Sequence, residues 1–460
     1  MSAPLASGLH GPDNLRPLLD TVLAALRTGA ATRPGPLPTG GPPAVAARLR
    51  EALGDPFPEH GDDRALHTLV HAFTAGAADP AHPHCTAHLH CPPLAVATAA
   101  DLAASALNPS LDSWDQAPAA SELETLVTRA LAAEVYPPTG RTAAPDALVT
   151  TGGTESNQLA LLLAREQHPH VRLVQAENAH HSLHRATWLL GLPEPVTVPA
   201  PAGTMDPAAL DQALTALGGP PGTVLVAATA GTTDAGLIDP LPDIAGICET
   251  HGARLHVDAA YGGGLLLSDR HRPKLDGLSR AHTVTLDLHK LGWQPVAAGL
   301  LAVRDPHDLH ALTHHADYLN ADDDTEAGLP DLLGRSLRTT RRADILKIAV
   351  TLKTLGRRGL GDLVDQVCAH AAALAELIDV HPHFELYDRP TISTVLFRPA
   401  QATDSTVADV RRTLLTQGRA VLGRARLDNR LWLKATLLNP HTGPGDLAAL
   451  LQLVEGHTAR

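Results

Sequence analysis

Three stretches of this 460-residue sequence carry side chains arranged for chemistry. Residues 284–295, Val-Thr-Leu-Asp-Leu-His-Lys-Leu-Gly-Trp-Gln-Pro, open as a buried strand and end as a polar turn, with His289 and Lys290 side by side at the junction. Residues 255–258, Leu-His-Val-Asp, form a second apolar run that ends in a carboxylate, Asp258. Residues 151–154, Thr-Gly-Gly-Thr, make a glycine-rich turn that leads into a helical pattern. An amine that joins an aldehyde, a carboxylate that keeps a pyridine nitrogen protonated and a turn that seats a phosphate are the three parts a pyridoxal phosphate site needs. Each is ordinary alone: most lysines are solvated, most strand-end carboxylates cap or pair, and most Gly-Gly turns only turn.

Neighbouring residues extend the pattern. Ala259 and Ala260 are small enough for a flat ring to lie on. His180, in the run Glu-Asn-Ala-His-His-Ser at 177–182, is placed to stack on the opposite face, although by itself it reads as a surface loop histidine. Gly153 and Thr154 open the helix whose free N–H groups and positive end would face an anion. His289 is placed to reach the same phosphate.

These residues need a scaffold that brings distant loops together, and the chain supplies one. From residue 147 short apolar runs alternate with turns and helical stretches. The runs are 147–150, 171–175, 195–198, 223–228, 254–258, 283–286 and 299–303. Such alternation predicts an α/β fold with a mostly parallel seven-stranded sheet and helices on both faces. Ligands then sit at the carboxyl ends of the strands. Loops 151–154, 177–181, 229–233, 258–261 and 287–290 all fall there. After residue 303 the pattern changes. Residues 318–342, with Asp-Asp-Asp at 322–324, predict a long exposed loop that could act as a lid. Amphipathic helices at 343–355 and 363–377 follow. Short strands at 384–386, 393–397, 420–422 and 431–436, with helices at 407–416 and 444–456, complete a small α+β domain. The division by position is 1–110 as an N-terminal helical segment, 111–342 as the large cofactor-binding domain and 343–460 as the small domain. Helical patterns at 15–28, 44–53 and 65–75 make the N-terminal segment the kind that packs on a partner subunit.

Composition excludes other classes. The formal charge is −13 and no basic cluster stands out, which argues against nucleic acid as a partner. No apolar run approaches the roughly 20 residues that span a bilayer, so no membrane is expected. The four cysteines are sparse and irregular, no signal peptide is visible, and a cytoplasmic protein is expected. Residues 82–91, with four His and two Cys, are the best metal candidate, but their spacing fits no common zinc pattern. No metal is expected, and a zinc protein built on His82 to Cys91 stays a remote alternative.

Taken together the motifs resemble the group II pyridoxal-phosphate-dependent amino acid decarboxylases, which have the fold-type I (aspartate aminotransferase-like) architecture. The resemblance runs from about residue 82 to 440. It rests on His-Leu-His-Cys-Pro-Pro at 88–93, Ser-Leu-Asp-Ser-Trp-Asp-Gln at 110–116, Thr-Gly-Gly-Thr-Glu-Ser-Asn at 151–157, Ala-His-His-Ser at 179–182, Ala-Thr-Ala-Gly-Thr-Thr at 228–233, His-Val-Asp-Ala-Ala-Tyr at 256–261, Asp-Leu-His-Lys at 287–290 and Leu-Leu-Asn-Pro at 437–440. The resemblance implies that Lys290 attaches the cofactor, Asp258 pairs with its ring nitrogen, His180 stacks on the ring and Ala260 packs on the other face. It implies Gly153, Thr154 and His289 near the phosphate and Thr229 near the ring. Within the family, 110–116, 318–320, 336–342 and 437–440 look most like the bacterial L-2,4-diaminobutyrate and siderophore-pathway lysine decarboxylases. This implies a basic diamino acid substrate (2,4-diaminobutyrate, ornithine or lysine), diamine or siderophore biosynthesis, and a homodimer. Decarboxylation of an aromatic or acidic amino acid is the more distant option.

One departure bears on the product. Aromatic members of the family carry a Tyr on the mobile loop as proton donor. Residues 319–342 contain none, and the chain's tyrosines are Tyr136, Tyr261, Tyr318 and Tyr387. A histidine or water would then return the proton. Loss of that donor is associated in the family with oxygen-dependent conversion to an aldehyde, the alternative outcome. Simple decarboxylation predicts the same amine yield with and without oxygen and no peroxide; aldehyde and peroxide formed only in air would establish the alternative.

Overall fold

The computed structural model describes residues 4–137, 144–313 and 326–458. The Tyr-Leu-Asn stretch at 318–320, Tyr318 included, and the Asp run at 322–324 therefore lie outside the described residues. The chain divides by its internal contacts into two units: Pro93–Cys368 with Pro390–Ser393, and Met1–Pro92 with Ala369–Arg389 and Thr394–Arg460. The three-part division expected above follows chain position, whereas this one follows contacts and joins the two ends of the chain in one unit.

The first of these units is built on seven strands: β1 (Asp146–Thr150), β2 (Arg172–Ala176), β3 (Val196–Val198), β4 (Val224–Thr229), β5 (Arg254–Ala259), β6 (Thr283–Asp287) and β7 (Gly299–Val303). Their order is β1-β7-β6-β5-β4-β2-β3. Strands β3, β2, β4, β5 and β6 pair in parallel; β7 runs antiparallel to both β6 and β1. The sheet is thus the mostly parallel α/β sheet expected. The reversal at β7 has a simple cause: only eleven residues, 288–298, link β6 to β7, with no crossover helix between them. Every residue of β1, β4, β6 and β7 is buried, as in a sheet covered on both faces.

Helix Gly153–Gln167 lies inside this covering rather than on its surface. One side packs Leu159 and Leu163 against Leu148 and Leu301; another packs Leu161 and Ala164 against Leu173 and Leu225. A helix apolar on most of its circumference is a buried helix.

Helix Pro118–Val135 carries the polar residues Ser121, Glu124 and Thr128 on its buried side. Glu124 is fully buried and accepts two bonds from the Arg341 guanidinium, Nη1 to Oε2 at 2.7 Å and Nη2 to Oε1 at 2.7 Å. This corrects one expectation. Residues 326–344 are irregular but not uniformly exposed: Leu332, Leu333, Arg341 and Ala343 are buried, and Arg335 pairs with Asp146.

The second unit holds helices Gly11–Ala30, Gly41–Leu53 and Ala65–Gly76 and a four-stranded antiparallel sheet. Its strands are β8 (Phe384–Leu386), β9 (Thr394–Pro399), β10 (Gly423–Leu427) and β11 (Arg430–Thr436), in the order β10-β11-β9-β8. Helices Asp404–Thr416 and Pro444–Thr458 and the end of helix Ile345–Asp379 cover a core that includes Leu374, Phe397, Val407, Leu433 and Leu450. The expected α+β architecture is present. The two helices expected at 343–355 and 363–377 form one helical run broken at Gly356, whose φ of 65° suits glycine. The expected strand at 420–422 is instead a buried apolar approach to β10. There Val421 makes an isolated bridge to Cys85, and its carbonyl accepts from Thr86 N–H at 2.9 Å.

Among the described residues no helix is long and apolar enough to cross a membrane. Those whose ligand atoms lie close enough to share an ion are His381, His383 and Glu455, not the His82 to Cys91 cluster.

Removing one member of a buried ion pair leaves an uncompensated charge and typically costs about 3–5 kcal/mol. Glu124→Ala is expected to lower the urea-unfolding free energy by roughly that amount. The double change Glu124→Leu with Arg341→Met is expected to cost clearly less. Equal losses in the two would mean that packing, not charge, sets the cost.

Candidate active site

The strand ends place the expected residues along one edge of the sheet. Register pairs Thr229 with Asp258 across β4 and β5, Asp258 with Thr285 across β5 and β6, and Asp287 with Gly299 across β6 and β7. Thr150 pairs with Gly299 from the other side. The Gly-Gly turn follows β1 directly, so it arrives beside β7 and β6. Gly299 is needed there: a Cβ on it would meet the Gly152 backbone at 2.4 Å.

The turn itself is crowded. Gly152 has φ 149°, and a Cβ on it would sit 2.9 Å from His289 Cε1. A Cβ on Gly153 would come within 3.0 Å of the Ala260 Cβ and 3.3 Å of Asp287 Oδ2. Glycine is what lets this backbone lie against the β5 and β6 ends. Glu155 ties the turn down, accepting from Thr151 N–H at 2.6 Å and Thr151 Oγ1 at 2.7 Å. The N–H groups of the first helical turn, from Gly153 onward, remain for an anion. Thr154 lies in that turn with its side chain exposed.

Asp258 is buried at the end of β5 and accepts at both oxygens, from Asn157 Nδ2 at 2.7 Å and from Ala260 N–H at 3.1 Å. Asn157 uses its whole amide. Its second N–H donates to Ser182 Oγ at 2.9 Å, and its oxygen faces His256 Nε2 at 3.0 Å and Thr285 Oγ1 at 2.9 Å. His256 Nδ1 lies 2.8 Å from Thr283 Oγ1. Burial pushes the His256 ring down to about 4, so it is neutral.

Lys290 Nζ lies 2.9 Å from Asp287 Oδ2, and His289 Nε2 lies 3.5 Å from the same oxygen. His289 Nδ1 accepts from Ala298 N–H at 3.2 Å. Burial holds the His289 ring below its ordinary range, Asp287 acting the other way. His180 caps helix His181–Leu189, its Nδ1 facing Ser182 Oγ at 2.8 Å, and burial lowers it too. Thr229 donates its N–H to Asp239 Oδ2 at 2.7 Å.

Two atoms here are buried with no hydrogen-bond partner, Thr229 Oγ1 and Asp287 Oδ1. Buried polar atoms normally have partners, so an unmet pair in a lined site points to a ligand. An amine, a doubly supported carboxylate, a glycine cradle at a helix N-terminus and two unmet polar atoms together fit pyridoxal phosphate.

The structure thus brings Gly153, Thr229, Asp258, Ala260, His289, Lys290 and His180 into one unit. Sequence reasoning missed the roles of Asn157, Ser182, Asp239, His256 and Asp287. A polar Asn157 within a helix otherwise packed with Leu and Ala was the available signal.

Strand order and site define an α/β enzyme of the pyridoxal phosphate class. Residues 48–400 match the family model of the pyridoxal-dependent decarboxylase conserved domain. The chain belongs to this family and is a pyridoxal-phosphate-dependent amino acid decarboxylase. It is 40% identical over 427 residues to the L-2,4-diaminobutyrate decarboxylase of Rhizobium meliloti (strain 1021), covering 88% of this chain and 84% of that protein. It is 33% identical over 435 residues to the L-2,4-diaminobutyrate decarboxylase of Acinetobacter baumannii, covering 87% and 84%. Among solved structures it resembles the glutamate decarboxylase domain of diaminobutyrate-pyruvate transaminase and L-2,4-diaminobutyrate decarboxylase from Vibrio parahaemolyticus. That match has a TM-score of 0.84 and 30% identity, and covers 99% of this chain and 97% of that one.

The buried His256 makes a pH prediction. Its folded value near 4 lies below the ordinary 6.5, so between these values the unfolded chain binds a proton that the folded chain refuses. Its contribution is fully present above about pH 6.5 and is lost as the pH falls to about 4, on the order of 3 kcal/mol in all. His282, pushed to about 3 by burial and by Arg304 and Arg254, adds to the slope and is untouched by a change at 256. His256→Gln is expected to flatten the pH dependence of urea unfolding in this window by about one proton's worth. An unchanged slope would contradict a neutral buried ring.

Proposed function

We propose that this decarboxylase acts on a basic diamino acid, with L-2,4-diaminobutyrate the first candidate and ornithine and lysine after it. The observation that carries the substrate is the 40% identity, over nearly the whole chain, to a decarboxylase of that diamino acid. The products are the corresponding amine and CO2. In this reading the enzyme is cytoplasmic and works as a homodimer, which the resemblance to its family supports.

Within the site, Lys290 would hold the cofactor covalently through Nζ and yield that position to the substrate amine. Asp258 would face the ring nitrogen, its carboxylate supported by Asn157 and the Ala260 N–H. Gly153 and Thr154 would offer N–H groups to the phosphate, with His289 beside them. Ala260 and His180 would cover opposite faces of the ring, and Thr229 would meet its edge. When bound, pyridoxal phosphate supplies an aldehyde that joins amines and a protonated ring that accepts the electron pair of the broken Cα–carboxylate bond.

Purified protein reconstituted with pyridoxal phosphate is expected to be yellow and to release CO2 from one of the three diamino acids added separately. Borohydride reduction is expected to fix the cofactor on the peptide containing Lys290. Lys290→Ala is expected to lose covalent attachment and at least about 1000-fold in kcat, since it removes the covalent catalyst. CO2 release from glutamate or tryptophan but from no diamino acid would overturn the substrate; a colourless protein that cannot be reconstituted would overturn the role of Lys290.

A further inference from the structure

Seven hydrogen bonds in the large unit form one branched chain whose direction can be worked out from its end at Asp258. As a carboxylate, Asp258 has no proton to give, so Asn157 must present its NH2 group to it across 2.7 Å. That fixes the amide. The Asn157 oxygen then has to accept, from Thr285 Oγ1 at 2.9 Å and from His256 Nε2 at 3.0 Å. A neutral His256 therefore carries its proton on Nε2, and its Nδ1 accepts from Thr283 Oγ1. The remaining Asn157 N–H points at Ser182 Oγ, 2.9 Å away. With that oxygen accepting, the Ser182 hydroxyl proton is free for its other partner among the described residues, His180 Nδ1 at 2.8 Å. The Ser182 N–H also donates to His180 Nδ1, at 3.3 Å.

We infer that Asn157 and Ser182 are positioning residues that transmit the charge of Asp258 to His180, holding the His180 ring in one rotation with Nδ1 accepting and the proton on Nε2. The inference rests on the reading that Asp258 and His180 face the ring of the cofactor. Its consequence is that the group at the ring nitrogen and the group on one ring face are not independent: the carboxylate that keeps the ring protonated also dictates which nitrogen of the stacking histidine donates. Asn157, Ser182, His256 and Thr285 are all fully buried, so no water competes for the bonds among them. Thr285 and His256 act as the brace. Without two donors on its oxygen, the Asn157 amide could turn over and present an oxygen to Asp258.

Neutron diffraction from crystals exchanged into D2O reads the chain directly, with the apoenzyme and the reconstituted enzyme measured separately. Expected are deuterium on Nε2 and none on Nδ1 of His180, ND2 of Asn157 facing Asp258, and deuterium on Nε2 of His256. Deuterium on His180 Nδ1, or an Asn157 oxygen facing Asp258, would overturn the inference. Two variants carry it into turnover. Ser182→Ala is expected to retain its circular dichroism spectrum and its reduction-trapped Lys290 adduct but to lose kcat by roughly tenfold, with the His180 ring no longer confined to one rotation in the neutron map. Ser182→Thr, which keeps the hydroxyl, is expected to restore both kcat and the single ring rotation. Wild-type kcat in Ser182→Ala would overturn the inference, as would an equal loss in both variants. The adduct at Lys290 is scored independently, so failure of the cofactor assignment and failure of the relay give different results.

Discussion

A carboxylate buried at the end of β5 is the constraint on which the rest of this unit depends. Taking Asp258 out of water is costly unless donors replace the water it loses. The Ala260 N–H is supplied locally, by the turn after the strand. The other donor, Asn157, comes from a helix that begins about a hundred positions earlier in the sequence, so that helix must be pressed onto the sheet. It is pressed there by leucines and alanines on most of its circumference, and it starts at the Gly-Gly turn because only glycine lets the chain pass so close to His289 and Ala260. The support of one acid and the proposed seat for an anion therefore both lie within the first five residues of the same packed helix.

Strand direction does the remaining assembly. Five parallel strands deliver their carboxyl ends to one edge, which puts Thr229, Asp258 and Asp287 within one or two register steps of one another. The link from β6 to β7 then turns back over that edge, and its short length keeps His289 and Lys290 there. Asp287 gathers them: one of its oxygens lies near both Lys290 Nζ and His289 Nε2, and the other is unmet. A buried carboxylate between an amine and an imidazole keeps both oriented without immobilising them in a hydrophobic wall.

Charge is used elsewhere in the same unit for architecture. The basic stretch before residue 342 looks in the sequence like a solvated face. In the fold Arg341 enters the core and meets Glu124 from a helix over two hundred residues away, and Arg335 closes on Asp146 at the start of β1. Buried pairs of this kind add little stability over a hydrophobic pair, but they tolerate few partners, so they define where an irregular segment lies.

The sequence by itself determined the alternation of strands and helices, and all seven large-sheet strands lie within one residue of their expected ends at both termini. It did so because a strand covered on both faces is a continuous apolar run, legible without its neighbours. The candidate site residues Lys290, Asp258 and His180 were legible too, since they stand in or beside the loops at the ends of those runs. Family resemblance in the motifs around them pointed to decarboxylation. What only the tertiary structure decided is what holds those side chains. Asn157, Ser182, His256 and Asp287 are polar residues in or beside buried elements, and a sequence shows the residue without its partner. Helix Pro118–Val135 was hidden for the same reason, because Glu124 on its buried side is balanced by a distant arginine. Hydrophobic burial has a period that can be read along the chain; a hydrogen bond or ion pair between distant segments has none until the fold brings its two ends together.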